Sequence, residues 1–188
     1  MRPIIKDVRM SDDEVHPPDA DLAAQAASGD EDAFSKLFDR YYPRIRAFAY
    51  QILLDYGTAE DVAQETFIRA AKGISGLHDT RTFQAWVYQI CANTARDSLR
   101  AKRSHDIKLE QAAQHFETAR ECRNGDETTE RALRLLQSLP SDQREAVALV
   151  FFEEFSHAEA AQRLGCAVST ISWRIHLAKR RLRKLMKS

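Results

Sequence analysis

The residue types that most often perform catalysis are present, but their spacing matches no common catalytic arrangement. The chain has 188 residues and 6 histidines, and no two of these have the His-x-x-x-His spacing that puts two metal ligands on one helix face. Neither a glycine-rich phosphate loop nor a nucleophile elbow occurs. Asp55, Glu60, Asp61 and Glu65 form a carboxylate cluster, but acidic residues at a helix start stabilise the helix dipole without catalysis. We therefore predict a protein that is not an enzyme and requires no cofactor or metal.

Basic side chains dominate residues 156–188, where Glu159 is the single carboxylate side chain. The cations of this segment are Arg163, Arg174, Lys179, Arg180, Arg181, Arg183, Lys184 and Lys187. The formal net charge of the whole chain is nevertheless +0, because residues 1–30 and 104–130 are acidic. This segregation of charge indicates a local nucleic-acid contact, since Lys and Arg bind the phosphate backbone.

Two helices joined by a short turn are predicted to position these cations. Ser156 and Glu159 have the capping-box spacing that starts a helix, and Gly165 suits the left-handed residue that ends one. Apolar residues of the next helix, which begins at Val168 or Ser169, recur at intervals of four and three: Ile171, Ile175, Ala178, Leu182 and Leu185. The pattern predicts a helix-turn-helix whose second helix enters the major groove of duplex DNA. The alternative is a solvated amphipathic helix.

A second basic cluster is predicted on a long helix that begins at Thr80 or Thr82 and ends near Arg103. One face of this helix ends in a basic ridge and carries Gln89, Arg96, Arg100 and Arg103. Trp86 and Tyr88 interleave with this ridge, and a polar loop with two glycines precedes the helix. Aromatic rings beside cations suit single-stranded nucleic acid, because bases stack on the rings while the cations follow the backbone. The alternative for Trp86 is a place in the core, which is compatible with such a function.

A third candidate surface lies on the helix that precedes this loop, for which Thr58 and Asp61 predict a capping box. Ile68 falls on its outward face among the charged residues Asp61, Glu65, Arg69 and Lys72. An apolar side chain in such surroundings indicates a contact with a partner. The alternative is an ordinary solvated helix face.

The composition favours a globular helical protein, with 44% hydrophobic and 30% charged residues and only 6 Gly and 5 Pro. The 3 cysteines are far apart, so they predict neither a metal site nor a disulfide framework. Cys91 and Cys166 are expected in the core, and Cys122 at the surface. The sequence contains neither an apolar run of roughly 18 residues, as a membrane span requires, nor a signal-peptide core. We expect a cytoplasmic location.

The predicted fold class is all-α, with two small helical domains joined by a flexible linker. Residues 1–19 are predicted to be a disordered acidic tail and residues 104–126 an acidic linker. The first module covers residues 20–103, and Pro43 is expected to interrupt or bend its second helix. The second module covers residues 127–188 and contains the helix-turn-helix.

Several motifs, in order along both modules, give the chain a family resemblance. The first module contains Ser28-Gly-Asp-Glu-Asp-Ala-Phe34, Ala59-Glu-Asp-Val-Ala-Gln-Glu-Thr-Phe67 and Phe83-Gln-Ala-Trp-Val-Tyr-Gln-Ile-Cys-Ala-Asn93, followed by Asp97 and Arg100. The second contains Leu139-Pro-Ser-Asp-Gln-Arg144 and residues 158–180. On these motifs the chain resembles a bacterial RNA polymerase sigma factor of the extracytoplasmic-function (ECF) group. The linker is too short for a folded middle domain, as expected for that group.

The resemblance implies roles for particular residues. In sigma region 2, the helix that binds the clamp helices of core RNA polymerase would present Asp61, Gln64, Glu65, Ile68 and Arg69. The −10 promoter element would be opened and held by Ser75, Leu77, His78, Asp79, Thr80, Arg81, Trp86, Asn93, Arg96, Arg100 and Arg103. In sigma region 4, which also meets the polymerase flap, the −35 element would be read by Ser169, Thr170, Ser172, Trp173, Arg174, His176, Leu177, Lys179 and Arg180. The group also implies control by an anti-sigma factor.

The recognition helix departs from the pattern of the group at two positions. Trp173 stands where a small residue is common, and Leu177 replaces a common Arg. Both are expected on the DNA side, where apolar side chains can contact thymine methyl groups, although Trp173 could instead pack against a partner.

Two other functions remain open from the sequence. A sigma-like decoy would bind an anti-sigma protein without acting at promoters, but the basic faces of both modules argue against it. A DNA-binding repressor or activator without a polymerase role would explain residues 156–188 but not the first module. We therefore expect a sigma factor that directs transcription initiation.

Overall fold

The computed structural model describes residues 17–110 and 135–186, with side chains up to Lys102 in the first range. Its helices are α1 (Asp19–Ala27), α2 (Glu31–Leu53), α3 (Tyr56–Gly73), α4 (Phe83–Glu110), α5 (Ser141–Val147), α6 (His157–Leu164) and α7 (Val168–Leu185). Neither described range contains a strand, which confirms the all-α fold class. The predicted tail up to residue 16, most of the predicted linker, Cys122 and the Arg103 side chain lie outside the described part.

Short irregular turns join or extend these helices. Two 3₁₀ turns, Ile74–Gly76 and Thr80–Thr82, lie between α3 and α4. A π-helical turn, Ala148–Phe152, continues α5. The two positive-φ residues other than glycine among the described residues are Leu54, which ends α2, and Glu154, which follows the π-helical turn. Both hold a left-handed backbone conformation that costs a residue with a Cβ about 1–2 kcal/mol.

Carboxylates start two of the helices in the first module. Asp30 accepts a hydrogen bond from the Ala33 backbone N–H at 3.0 Å, and Asp55 accepts one from the Thr58 N–H at 2.8 Å. The predicted Thr58–Asp61 capping box is therefore wrong. Helix α3 begins at Tyr56, so Thr58 already lies in its first turn and Asp55 satisfies the free backbone donor.

Pro43 does not interrupt α2, which is a continuous helix from Glu31 to Leu53. The ring of Pro43 is exposed, while Tyr41, Ile45 and Phe48 on the inward side are buried. Burial of this apolar stripe offsets the backbone hydrogen bond that proline cannot donate. Helix α4 likewise continues to Glu110, past its predicted end near Arg103.

Helices α1 to α4 enclose an apolar core. Among its fully buried side chains are Leu37, Ile45, Phe48, Ile52, Phe83, Val87 and Cys91. Ala70 of α3 is also fully buried, whereas the adjacent Ala71 is exposed.

The second module packs directly against the first. Helix α6 contacts α4, and α5 contacts α2. The buried apolar residues of both modules form a single cluster that includes Phe48 and Tyr88 on one side and Leu149 and Leu164 on the other. The glycine that ends α6, Gly165 (φ +61°), lies so close to α4 that an added Cβ would be 2.7 Å from the Gln89 side-chain nitrogen. We call this packing the closed arrangement.

Candidate nucleic-acid interfaces

The recognition helix α7 buries one face and presents the other to solvent. Ile171, Ile175 and Ala178 are buried, as their spacing predicts, while Leu185, predicted on the same stripe, is 46% exposed because it lies at the free end of the helix. The predicted DNA-reading residues that are exposed are Ser169, Ser172, Trp173, His176, Lys179 and Arg180. Thr170, Arg174 and Leu177 are half-buried. The exposed face combines hydroxyl, aromatic and cationic groups, which can contact base edges and phosphates.

Trp173 and Arg174 are adjacent but differently placed. Trp173 is 59% exposed, which makes its indole one of the most accessible apolar groups in the described ranges. The Arg174 side chain turns inward, and its Nε lies 3.5 Å from an Asp142 carboxylate oxygen on α5. Arg174 is thus held within the module, whereas Trp173 is available to a ligand.

The turn geometry fixes how α6 presents α7. Ser156 and Glu159 form the predicted capping box, in which the Ser156 N–H donates to the Glu159 carboxylate at 2.9 Å and the Glu159 N–H donates to the Ser156 hydroxyl at 3.2 Å. The Ser156 hydroxyl also donates to the Glu159 carboxylate at 2.7 Å, and this bond together with the Ser156 N–H holds the pKa of Glu159 below its usual value. The His157 Nδ1 lies 2.9 Å from the Ser172 hydroxyl oxygen and so ties the start of α6 to the exposed face of α7.

In the first module, the loop from Ser75 to Arg81 precedes α4, which carries the predicted ridge. Of the predicted loop residues, Ser75, His78 and Arg81 are exposed, and Leu77, Asp79 and Thr80 are half-buried. Asp79 accepts hydrogen bonds from the Arg81 side chain at 2.9 and 3.1 Å and from its backbone N–H at 3.1 Å. The Arg81 side chain thereby lowers the pKa of Asp79.

Trp86 is half-buried on α4. Its ring centroid is 6.0 Å from that of Phe83, and an added Cβ on Gly73 would lie 3.2 Å from the ring. This placement accommodates both interpretations of Trp86, because one part of the ring packs on the module while another remains accessible.

The ridge of α4 is polar and basic. Asn93 and Arg100 are exposed, and the Arg100 guanidinium lies 3.3 Å from Asp97. One shallow cavity is lined by Arg69 of α3 together with Asn93, Arg96, Asp97 and Arg100 of α4. Arg96 is set apart from the other ridge residues, because its side chain is only 28% exposed and is engaged by the second module.

On the outward face of α3, Asp61, Gln64, Ile68 and Arg69 are exposed and Glu65 is half-buried. Ile68 exposes 48% of its surface. The Arg69 Nε donates to the Glu65 carboxylate at 2.7 Å, so the charged groups beside Ile68 partly neutralise each other. The face offers an apolar centre with a polar rim, an arrangement common at protein interfaces.

Four interdomain contacts were not predictable from local spacing. The Arg96 guanidinium donates to the fully buried Glu145 carboxylate through Nε at 2.9 Å and Nη2 at 2.7 Å. The Tyr88 hydroxyl donates to Glu153 at 2.6 Å, and Arg44 donates to the same carboxylate at 3.0 Å. Gln84 accepts from Arg163 at 2.6 Å. Burial raises the pKa of Glu145, with the Arg96 charge opposing the shift.

The aromatic ring of Phe155 closes the centre of this interface. Its centroid is 5.6 Å from that of Tyr88, at nearly perpendicular orientation. The Arg163 guanidinium carbon lies 3.6 Å from the same ring centroid. Arg163, one of the cations of residues 156–188, is consequently buried rather than available for phosphate, and burial lowers its pKa.

Other kinds of site are not evident within the described ranges. No group of three or more His, Cys, Asp or Glu side chains there is placed to hold a metal ion. No helix in those ranges is long and apolar enough to cross a membrane.

Comparison with known proteins agrees with the two-module architecture. The Sigma-70 region 2 family matches residues 37–105, and the Sigma-70 region 4 family matches residues 129–182. The ECF RNA polymerase sigma factor SigW of Bacillus subtilis is 30% identical over 175 residues, covering 87% of this chain and 94% of SigW. The chain belongs to the ECF sigma factors. EcfG of Rhodopseudomonas palustris, another ECF sigma factor, is 33% identical over 147 residues, covering 77% of this chain and 80% of EcfG.

Two solved structures share the helix arrangement of this ECF sigma factor. CnrH, solved in complex with the cytosolic domain of CnrY, superposes with a TM-score of 0.69 at 29% identity, covering 90% of this chain and 97% of CnrH. The sigma factor RpoE of Bartonella quintana, solved with the anti-sigma factor NepR, gives 0.68 at 28% identity, covering 82% of this chain and 96% of RpoE.

Proposed function

We propose that this ECF sigma factor binds core RNA polymerase through α3 and holds promoter DNA at two points, one in each module. The observation that carries this proposal is the presence, on one chain, of an exposed basic recognition helix and a separate aromatic and basic ridge. The proposed modules are residues 20–103, as region 2, and residues 127–188, as region 4. Sigma factors are initiation factors without catalysis of their own, and we assign no catalytic group here.

The polymerase contact is assigned to Asp61, Gln64, Glu65, Ile68 and Arg69. Burial of Ile68 supplies the apolar part of this contact, and an exposed isoleucine gains roughly 1.5–3 kcal/mol when fully buried. Charged neighbours fix the orientation and increase the rate of encounter. The clamp helices of core polymerase are the proposed partner.

The −10 contact is assigned to the loop from Ser75 to Arg81, Trp86 and the α4 ridge of Asn93, Arg96, Arg100 and Arg103. The half-buried Trp86 provides a fixed surface against which a base can stack, and the ridge cations follow the strand backbone. The −35 contact is assigned to the exposed face of α7, with Arg174 in a supporting position.

An anti-sigma factor is proposed as the regulatory partner. The support is that two solved sigma factors with the same arrangement, CnrH and the Bartonella RpoE, were captured with CnrY and with the anti-sigma factor NepR. A cytoplasmic location is proposed with the polymerase role, because the partners of a sigma factor are there.

Transcription with purified components tests the proposal. The full chain is added to core RNA polymerase and a library of promoter fragments, and the transcripts are sequenced. Specific transcripts are expected, and they should be lost in Ile68→Glu, which places a charge at the centre of the polymerase contact. Ala24→Glu, an equally charged change at an exposed position of α1, is the matched control. A chain that neither binds core polymerase nor yields specific transcripts contradicts the proposal and favours the decoy.

A further inference from the structure

The closed arrangement places a carboxylate of the second module on a proposed DNA contact of the first. Nε and Nη2 of Arg96 form a fork of two parallel donors, and both lie on Glu145. The remaining terminal nitrogen, Nη1, donates to Asn93 at 2.7 Å. Three of the five guanidinium N–H donors are therefore engaged within the protein, including both donors of the Nε–Nη2 edge.

A phosphate group can bind the same fork. Arginine binds carboxylates and phosphates by the same two-donor geometry, with closely similar bond lengths. One guanidinium edge cannot hold Glu145 and a backbone phosphate at the same time. A two-donor contact between this edge of Arg96 and a DNA phosphate thus requires Glu145 to withdraw, and the charge of Glu145 also disfavours a phosphate at the remaining terminal N–H donors.

Glu145 cannot withdraw alone. It belongs to α5, which packs on α2, and it is fully buried. The neighbouring Glu153, whose side chain is only 9% exposed, is held by Arg44 and Tyr88. Release of Arg96 therefore means separation of the modules, after which both carboxylates are hydrated.

We propose that the Glu145 and Glu153 face of region 4 is an interaction surface for region 2, where it competes with promoter DNA for Arg96. The chain closed in this way has a lower apparent affinity for the −10 strand, and DNA binding opens it. The inference rests on the proposed function, since it assumes that Arg96 contacts DNA.

The strength of the closed contact suits a reversible competitor. A buried ion pair gains attraction between its charges but loses the hydration of both, and the two effects nearly balance in many proteins. Here the buried carboxylate and the partly exposed guanidinium regain water on opening. A ligand that binds only the open form then has an apparent affinity for the protein equal to its affinity for the open form multiplied by the open fraction.

Two substitutions open the chain by different routes. Glu145→Ala removes the competitor itself, and its matched control is Glu154→Ala, the same change at an exposed residue of the same module. Arg44→Glu sets a carboxylate against Glu153 without altering a proposed DNA contact. Its control is Lys36→Glu, which makes the same charge change at an exposed position of the same helix.

Arg44→Glu distinguishes the effect of opening on DNA affinity from the effect of net charge on DNA affinity. It makes the chain more negative, so charge alone weakens binding to DNA, whereas opening strengthens it. The full-length variants are compared by the radius of gyration from X-ray scattering and by fluorescence anisotropy with a labelled 12-nucleotide single strand of randomised sequence. Circular dichroism confirms that each variant is folded, and if Glu145→Ala does not fold, Arg44→Glu carries the test.

We expect both opening variants to have a larger radius of gyration and a strand affinity raised roughly tenfold. Both controls should remain compact with no gain in affinity, and saturating strand should expand the wild-type chain. If Arg44→Glu changes neither the radius of gyration nor the affinity for the strand, the inference is overturned while the proposed function stands. Expansion without a gain in affinity overturns the competition with DNA. If neither the wild type nor any variant binds the strand, and transcription is also absent, both the inference and the proposed function fail.

Discussion

Trp173 is the residue at which this recognition helix differs most in accessible chemistry from the pattern of its group. Its indole is exposed, while its neighbour Arg174 is drawn toward Asp142. Apolar contact with a thymine methyl group is the interaction that such a ring can add in the major groove. Sequence preference at the −35 element should therefore depend more on Trp173 than on Arg174.

Replacement of Trp173 tests this assignment. Trp173→Ala should weaken binding to a −35 duplex selected from the promoter library by about 1 kcal/mol or more without lowering the melting temperature, because the side chain supports little of the core. Met186→Ala, at another exposed apolar residue beyond the end of α7, is the control in the same duplex titration. Equal affinity for the wild type and Trp173→Ala would mean that the ring serves a protein partner instead.

The thiol of Cys91 is expected to be unreactive in the native fold. Burial raises the pKa of its thiol to about 12, and the thiolate is the reactive form. Iodoacetamide at pH 8 should therefore leave Cys91 unmodified until denaturant is added, whereas the half-buried Cys166 reacts earlier. Mass mapping of alkylated peptides measures both, and rapid native labelling of Cys91 would contradict its buried position.

At the scale of elements, helix periodicity was sufficient to identify most of the buried stripes. The intervals on α7 gave Ile171, Ile175 and Ala178 correctly, and the capping box of α6 is present as its spacing indicated. The predicted interruption at Pro43 was wrong because proline propensity is local, whereas the stability of α2 comes from the tertiary burial of its inward side. Glu154 is a departure of another kind, since glutamate is a poor residue for φ near 58°.

Relief of the left-handed backbone strain at Glu154 should stabilise the second module. Glu154→Gly removes the Cβ that disfavours the left-handed conformation, and after the larger entropy of glycine in the unfolded chain we expect a gain of about 0.5–1 kcal/mol. Thermal or urea unfolding measures it. Glu154→Ala keeps the Cβ and should show no gain, so equal stability of the two variants would locate the effect in the lost side chain.

At the scale of the whole molecule, the contacts between the modules were the part that sequence reasoning could not reach. Arg96 and Glu145 are 49 positions apart, and no periodic pattern connects residues on different helices. One local signal existed, a glutamate immediately before the apolar run from Ala146 to Leu149, because a buried carboxylate requires a partner. The motifs defined two modules and their order, but not how they pack.

The closed arrangement should respond to pH. Burial raises the pKa of Glu145 in the closed form, and Arg96, Arg174 and Asp142 are the charged groups around it, while in an open form the carboxyl is hydrated and has its ordinary pKa. Closure therefore takes up a proton, and acidification from neutral pH toward the ordinary carboxyl value favours the closed form. The radius of gyration should decrease over this interval.

Glu145→Gln provides the control for that titration. Glutamine resembles the neutral carboxyl, so this variant should remain compact and lose the part of the pH response that belongs to residue 145. Every other titratable group is the same in both proteins, so its contribution cancels in the comparison. An identical pH dependence in the two proteins would exclude Glu145 as the responsible group.

The ion pair of Arg96 with Glu145 has an evolutionary consequence. If one arginine contacts both a DNA strand and Glu145, a substitution at position 96 alters two traits in a single step. These are the affinity for promoter DNA and the fraction of molecules that are closed. Position 145 can change the second trait alone. Adaptive adjustment of basal activity is thus easier at Glu145 than at Arg96, and a lineage can retune how readily the factor acts while its promoters stay the same.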